Sequence, residues 1–214
     1  MIKPKIIYVY DALCGWCFGF SPVIQAARDF YSHDFDFEII SGGMMIGERA
    51  GRISDVAPHL RDSYKRVEET TRIVFGNPFL KHLEEGEMIF NSETPSVALS
   101  VFKSLQPRNA FEFASQLQNS IYFDGKEPES AELYRYLAVN YGIDPDDFES
   151  RMADRVFKDQ AHYDFALAKQ LQVDAFPAAF IQHTESSLYM IARGYTDYET
   201  LELRIENIRK EIKR

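Results

Sequence analysis

Two cysteines stand in a chain of 214 residues, separated by two positions in Cys14-Gly15-Trp16-Cys17. Thiols at this spacing have three chemistries open to them: a structural disulfide, half of a metal site, or reversible thiol–disulfide exchange. A structural bridge gains little here, because closing so short a loop removes little chain entropy. A structural zinc site takes four ligands. This chain has two cysteines, and its five histidines (His33, His59, His82, His162 and His183) are scattered singly without metal-ligand spacing. They read as structural or surface residues. A zinc ion shared between two chains stays open as an alternative, but no metal or cofactor is expected within one chain. Redox exchange is the better fit. In that chemistry the thiolate is the nucleophile, so Cys14 attacks a sulfur and Cys17, one turn later, displaces the resulting mixed disulfide intramolecularly.

The composition narrows the setting. Hydrophobic residues make up 45% of the chain and charged residues 27%, which is ordinary globular usage. With 33 acidic and 24 basic side chains the formal charge is -9. A charge of that sign repels phosphate backbones and anionic lipid, so neither nucleic acid nor a membrane is expected as a partner. The basic cluster from Arg204 to Arg214 is interleaved with Glu206 and Glu211 at helical spacing and reads as a solvated helix face. After Lys3 and Lys5 the apolar run stops at Asp11, too soon for a secretory leader, and no stretch approaches the ~18 apolar residues of a membrane span. The expected compartment is the cytoplasm. Structural disulfides are rare there, and a C-x-x-C pair is more often catalytic or metal-binding.

Several elements must position the pair. KIIYVY, residues 5–10, reads as a buried strand. Val23, Ala26, Ala27 and Phe30 recur at helical spacing, which predicts a helix from about Cys14 to Tyr31 with Pro22 kinking it. DFDFEII alternates, Phe35, Phe37 and Ile39 against Asp34, Asp36 and Glu38, as a half-buried strand that Gly42-Gly43 ends. From Ser54 to Val173 the period becomes helical. Val97, Val101 and Leu105 make one stripe, Phe157, Ala161, Phe165 and Ala168 another, and Asp144-Pro145 looks like a cap followed by a first-turn proline. About five helices are expected, with Tyr134, Tyr136, Tyr141 and Phe148 in their core. AAFIQ, a turn HTESS and LYMIA then predict a hairpin, and Thr196 with Glu199 a capping box ahead of a helix carrying Leu201, Ile205, Ile208 and Ile212. A βαβ half followed by a hairpin and a helix completes a four-stranded mixed sheet flanked by helices. The expected division is residues 1–53 and 174–214 for this discontinuous α/β domain, with 54–173 as an inserted all-helical subdomain.

With CGWC after a strand, Pro22 five residues past Cys17, and VDAFPAAFI just before the hairpin, the chain resembles the DsbA-like branch of the thioredoxin-fold oxidoreductases. Within that branch it is similar to the cytoplasmic group of predicted protein disulfide isomerases. NSIYFDGKEPES and LAVNYGIDPDDFESRM extend the likeness through the insert. The resemblance implies a thioredoxin fold, a cis peptide bond before Pro177 facing the cysteines, and pairing of the Phe176 backbone with an extended substrate. It further implies that Gly15 and Trp16 contact that substrate, a thiol or disulfide of a protein or small molecule, glutathione included. Gly15-Trp16 supplies neither the histidine of strongly oxidising members nor the proline of thioredoxin, so no redox potential carries over. Phe176 is bulkier than the usual residue before that proline.

Three further readings concern the surroundings. Trp16, at a helix start, is expected at the rim of the site. Asp11 reads as a turn or cap residue with proton transfer as its other option. SGGMM, residues 41–45, either lines a substrate groove or simply ends a strand. The rival function on the same architecture is that of the kappa-class glutathione transferases and hydroxychromene-carboxylate isomerases. Those usually carry serine at the Cys14 position and need no second thiol, so retention of both cysteines counts against it.

Overall fold

The computed structural model describes residues 3–184 and 187–212. Its strands are β1 (Lys5–Tyr10), β2 (Asp36–Ser41), β3 (Gly51–Arg52), β4 (Ile89–Phe90), β5 (Ala178–Thr184) and β6 (Ser187–Arg193). Four of them form one mixed sheet in the order β2-β1-β5-β6, with β1 parallel to β2 and antiparallel to β5. Tyr8 lies opposite Ile39 on one side and Ala179 on the other. Because β1 is central and covered on both faces, Ile6 through Tyr10 are all buried, and the sequence shows a continuous apolar run rather than an alternation. Ile6, Tyr8 and Tyr10 project into the main core, whereas Ile7 and Val9 project the other way, into a smaller core with Ile40, Ala168 and Phe180.

The helices are α1 (Gly15–Tyr31), α2 (Ile53–Val56), α3 (Leu60–Thr71), α4 (Asn77–Glu85), α5 (Glu93–Leu105), α6 (Ala110–Tyr122), α7 (Ala131–Asn140), α8 (Pro145–Met152), α9 (Arg155–Gln170) and α10 (Tyr198–Ile212). Helices α1 and α10 pack on one face of the sheet and α9 on the other. The stretch between β2 and β5 is helical as expected, but it holds eight helices among the described residues rather than about five. It also contains the short β3–β4 ladder, too brief to leave a periodic signature.

Several local expectations need correction. Helix α1 runs unbroken through Pro22, but its buried stripe is Cys17, Phe20, Ile24, Ala27 and Tyr31, not Val23, Ala26 and Phe30; Phe30 is 62% exposed. Both sets obey helical spacing, and only tertiary packing decides between them. Tyr134 and Phe148 are core residues and Tyr141 is half-buried, but Tyr136 is 50% exposed. The last helix is capped by Asp197, which accepts from the backbone and hydroxyl of Thr200, while Thr196 donates to Gly194 O instead. Asp144 does cap α8, accepting from the Asp146 N–H. The hairpin is present with strands longer than expected, and Glu185 and Ser186 of its turn lie outside the described residues.

The helical stretch is anchored to the sheet by charge as well as by apolar packing. Helix α5 is buried from Pro95 to Phe102 and so sits in the middle of the helical stack. From its last turn, Lys103 Nζ donates to the Ile39 carbonyl at 2.9 Å and reaches Asp164 of α9 at 3.4 Å. Asp164 also accepts from the Ser41 backbone N–H at the end of β2. Burial raises the Asp164 carboxyl above its ordinary range, and Lys103 opposes that shift.

Candidate active site

The site begins where β1 stops. The Asp11 carboxylate is buried and takes three hydrogen bonds, from Leu13 N–H at 2.9 Å, the Ser92 hydroxyl at 2.8 Å and Met44 N–H at 2.7 Å. Its carbonyl accepts from Cys14 N–H and from the Gln118 side chain. One residue thus ties the turn before α1 to the segment after β2 and to the start of α5. Burial pushes this carboxyl up, against the pull of its three donors and the Arg49 charge. Asp11 holds the turn, and its three long-range partners, Met44, Ser92 and Gln118, had no signal in the sequence.

Cys14 is the N-cap of α1, with extended backbone (φ -100°, ψ 110°) and no hydrogen bond from its side chain to the helix. Its carbonyl accepts from Cys17 N–H and Phe18 N–H, which sets the first turn and directs both sulfurs to the same end of the helix. The Cys14 thiol donates to the Phe176 carbonyl at 3.8 Å. Cys14 is 6% exposed and Cys17 is 0% exposed. Burial first, then hydrogen bonding to the Cys14 sulfur, push the Cys17 thiol well above its ordinary value, so it holds its proton. Burial and the two sulfurs likewise push the Tyr8 phenol up, which keeps that neighbour neutral. Both cysteines are free thiols.

Phe176 and Pro177 arrive from the far end of the chain, just before β5. The peptide bond between them is cis. The bulk of Phe176 is taken up by Gly42: a Cβ there would come within 1.9 Å of the Phe176 ring, so only glycine admits it. Gly43 has φ +66°, and a Cβ on it would meet the Phe165 ring at 2.7 Å. The double glycine thus lets two aromatic rings close down behind the site. Trp16 is half-buried, tilted against Tyr195 at a centroid distance of 6.2 Å, and lines a cavity beside Cys14. Gly15 lines it too, as do Met44 and Met45 of the SGGMM segment. His59, read from sequence as a structural or surface residue, is exposed at this cavity. A larger cleft of about 1020 Å³ between α4 and α7 contains none of these residues. Among the described residues no three His, Cys, Asp or Glu side chains gather as metal donors, and no helix is long and apolar enough to cross a membrane.

Residues 5–206 match the family described as DSBA-like thioredoxin domain. The chain belongs to that family. As a DsbA-like protein it superposes on a structure from Nitrosomonas europaea titled "putative protein disulfide isomerase", with a TM-score of 0.88, 22% identity, and 98% of this chain and 99% of that chain covered. It superposes on the cytosolic disulfide reductase DsbM from Pseudomonas aeruginosa, solved with GSH, with a TM-score of 0.78, 22% identity, and 97% and 98% coverage. A curated relative, the ClpXP adapter protein SpxH of Halalkalibacterium halodurans, is 22% identical over 176 residues, which is 82% of this chain and 58% of that protein. The chain therefore spans a little over half the length of that relative. These likenesses agree with the DsbA-like thioredoxin fold and its helical insertion.

Proposed function

We propose that this DsbA-like protein is a thiol–disulfide oxidoreductase or disulfide isomerase in which Cys14 attacks and Cys17 resolves. The observation that carries the reading is the 3.8 Å approach of the Cys14 sulfur to the Phe176 carbonyl, with Cys17 buried behind it. A sulfur at a helix N-terminus sits where unpaired N–H groups favour negative charge. In the reducing direction the Cys14 thiolate attacks one sulfur of a substrate disulfide, forms a mixed disulfide and releases the other sulfur as thiolate. Cys17 then loses its proton and attacks the Cys14 sulfur, which forms the Cys14–Cys17 disulfide and frees the second substrate thiolate. Two molecules of a small thiol reset the pair and leave as their own disulfide. The reductase neighbour solved with GSH supports glutathione in that role and a cytoplasmic setting, and tilts the direction toward reduction or isomerisation. Gly15, Trp16, Phe176 and Pro177 flank the reacting sulfur and contact the substrate in this reading.

The test uses two variants in glutathione buffer. Cys17→Ala is expected to accumulate a mixed disulfide on Cys14, seen as an added glutathione mass that dithiothreitol removes. Cys14→Ser is expected to lose disulfide exchange altogether. If Cys17→Ala instead keeps full glutathione-dependent turnover without trapping anything, the two-thiol mechanism is wrong and the glutathione transferase type of reaction takes its place.

A further inference from the structure

The core on the α1 side of the sheet holds three tyrosine hydroxyls with no hydrogen-bond partner among the described residues: Tyr8, Tyr10 and Tyr122, each at most 2% exposed. A buried hydroxyl left unpaired destabilises a fold relative to phenylalanine at the same place. Tyr134 shows the ordinary arrangement, its equally buried hydroxyl donating to the Pro128 carbonyl. Packing accounts for the rings of the other three but not for their oxygens. The Tyr8 ring lies 5.7 Å from Phe20 and 6.0 Å from Phe111, and the Tyr122 ring 5.3 Å from Phe18 and 4.9 Å from Phe79, neighbours that phenylalanine would suit as well.

The three phenols surround one sulfur. The titratable groups that act on Cys17 are Tyr8 and Tyr10 of β1, Asp11 at its end, Cys14 at the cap of α1 and Tyr122 of α6. Of the phenols, Tyr8 is the one whose hydroxyl meets the Cys17 sulfur, while Tyr10 and Tyr122 act on it through space. The Asp11 carboxylate is already committed to three donors. A neutral thiol is a weak acceptor, so the Tyr8 hydroxyl gains little from it in the dithiol; a thiolate is a strong one. We propose that Tyr8 is the hydrogen-bond donor to the Cys17 thiolate and sets the rate at which Cys17 resolves the mixed disulfide on Cys14. The inference rests on the oxidoreductase reading above and adds a residue to it. In this step the Cys17 sulfur bonds to the Cys14 sulfur, the bond from Cys14 to the substrate sulfur breaks, and the proton of Cys17 passes to the departing sulfur or to buffer. Tyr8 keeps its own proton throughout. The hydroxyl is therefore unpaired at rest and paired in the state that reacts, which is where stabilisation accelerates a step.

Stopped-flow mixing of the reduced protein with dithiobisnitrobenzoate separates the two steps. Attack by Cys14 releases one coloured thionitrobenzoate in a phase that quickens with reagent concentration, and resolution by Cys17 releases the second in a phase that does not. Tyr8→Phe is expected to leave the first phase within about twofold of wild type and to slow the second about tenfold, the lower end for a hydrogen bond to a charged group. Because the variant lacks the donor that favours the thiolate, the pH profile of its second phase is expected to move upward by about one unit, the same factor of ten. In urea Tyr8→Phe is expected to unfold at the wild-type midpoint or above it, whereas Tyr134→Phe, which loses a made hydrogen bond, unfolds earlier and leaves both phases unchanged. An unchanged second phase or an undisplaced pH profile in Tyr8→Phe, or both phases slowed together with a loss of stability, would overturn the inference and leave the oxidoreductase reading standing. Release of a single thionitrobenzoate from the wild type would overturn both.

Discussion

Cys14 and Cys17 carry the same functional group in two environments, and the difference between them is the chemistry of the site. Cys14 caps a helix and has its sulfur at the wall of a cavity, whereas Cys17 is one turn on, out of reach of solvent, with a thiol pushed upward by burial. Iodoacetamide added to the reduced, folded protein near neutral pH should therefore label Cys14 and spare Cys17, and both should label once the chain is unfolded in guanidinium. Peptide mass mapping reads the result, and equal labelling of the two thiols in the folded state would remove the basis for unequal roles. The pair was legible because its spacing carries it, whereas Pro177 stood out only through the resemblance of VDAFPAAFI to the family; read locally it is an ordinary strand-opening proline. The hydrogen bonds of Asp11 were not legible, because Met44 and Ser92 lie 33 and 81 positions away and no short-range pattern specifies such partners.

The elements that hold the site are defined by close approaches between segments. Gly42 is the tightest of these, and Gly42→Ala forces the Phe176 ring away from its seat, shifting the carbonyl that meets the Cys14 thiol. Overpacking of this kind typically costs about 1–3 kcal/mol. Urea denaturation of the variant should show a loss of that size, with disulfide exchange in glutathione buffer slowed at the same time. Wild-type stability in the variant would mean that the ring relocates freely and does not position the carbonyl. The sequence marks Gly42-Gly43 correctly as a strand end, but the reason for both glycines is a pair of aromatic rings supplied from the far part of the chain. The same limit explains the rotated face of α1. Two apolar stripes at helical spacing coexist on it, and packing against the sheet and against α3, α6 and α10 selects the one that is buried. Short elements such as α2 and the β3–β4 ladder are too brief for any period to emerge.

Across the whole molecule, the polar joint between Lys103, Asp164 and the end of β2 fixes the helical insertion against the sheet whose β1 leads to Cys14. Lys103→Met leaves the Asp164 carboxylate buried without its cation and should destabilise the fold by about 3 kcal/mol, the lower end for a broken buried pair. The lower end applies because the Lys103 side chain remains 24% exposed. Adding Asp164→Asn to that variant should recover part of the loss, since the uncompensated charge is then gone; thermal unfolding of the two variants provides the comparison, and an unaffected single variant would show that apolar packing alone holds the joint. The strand and helix order at the two chain ends was readable, and so was the four-stranded sheet, because β1 carries a continuous apolar run, β2 an alternation and the helices their own period. The contact that joins the ends spans 162 positions between Cys14 and Phe176. During translation the thiols leave the ribosome first, and at 5–20 residues per second roughly 10 to 30 s pass before their facing backbone is synthesised. For that interval the nascent chain carries a reactive pair without the partner that completes its site, so premature termination within the insertion would release thiols with no means of selecting what they react with.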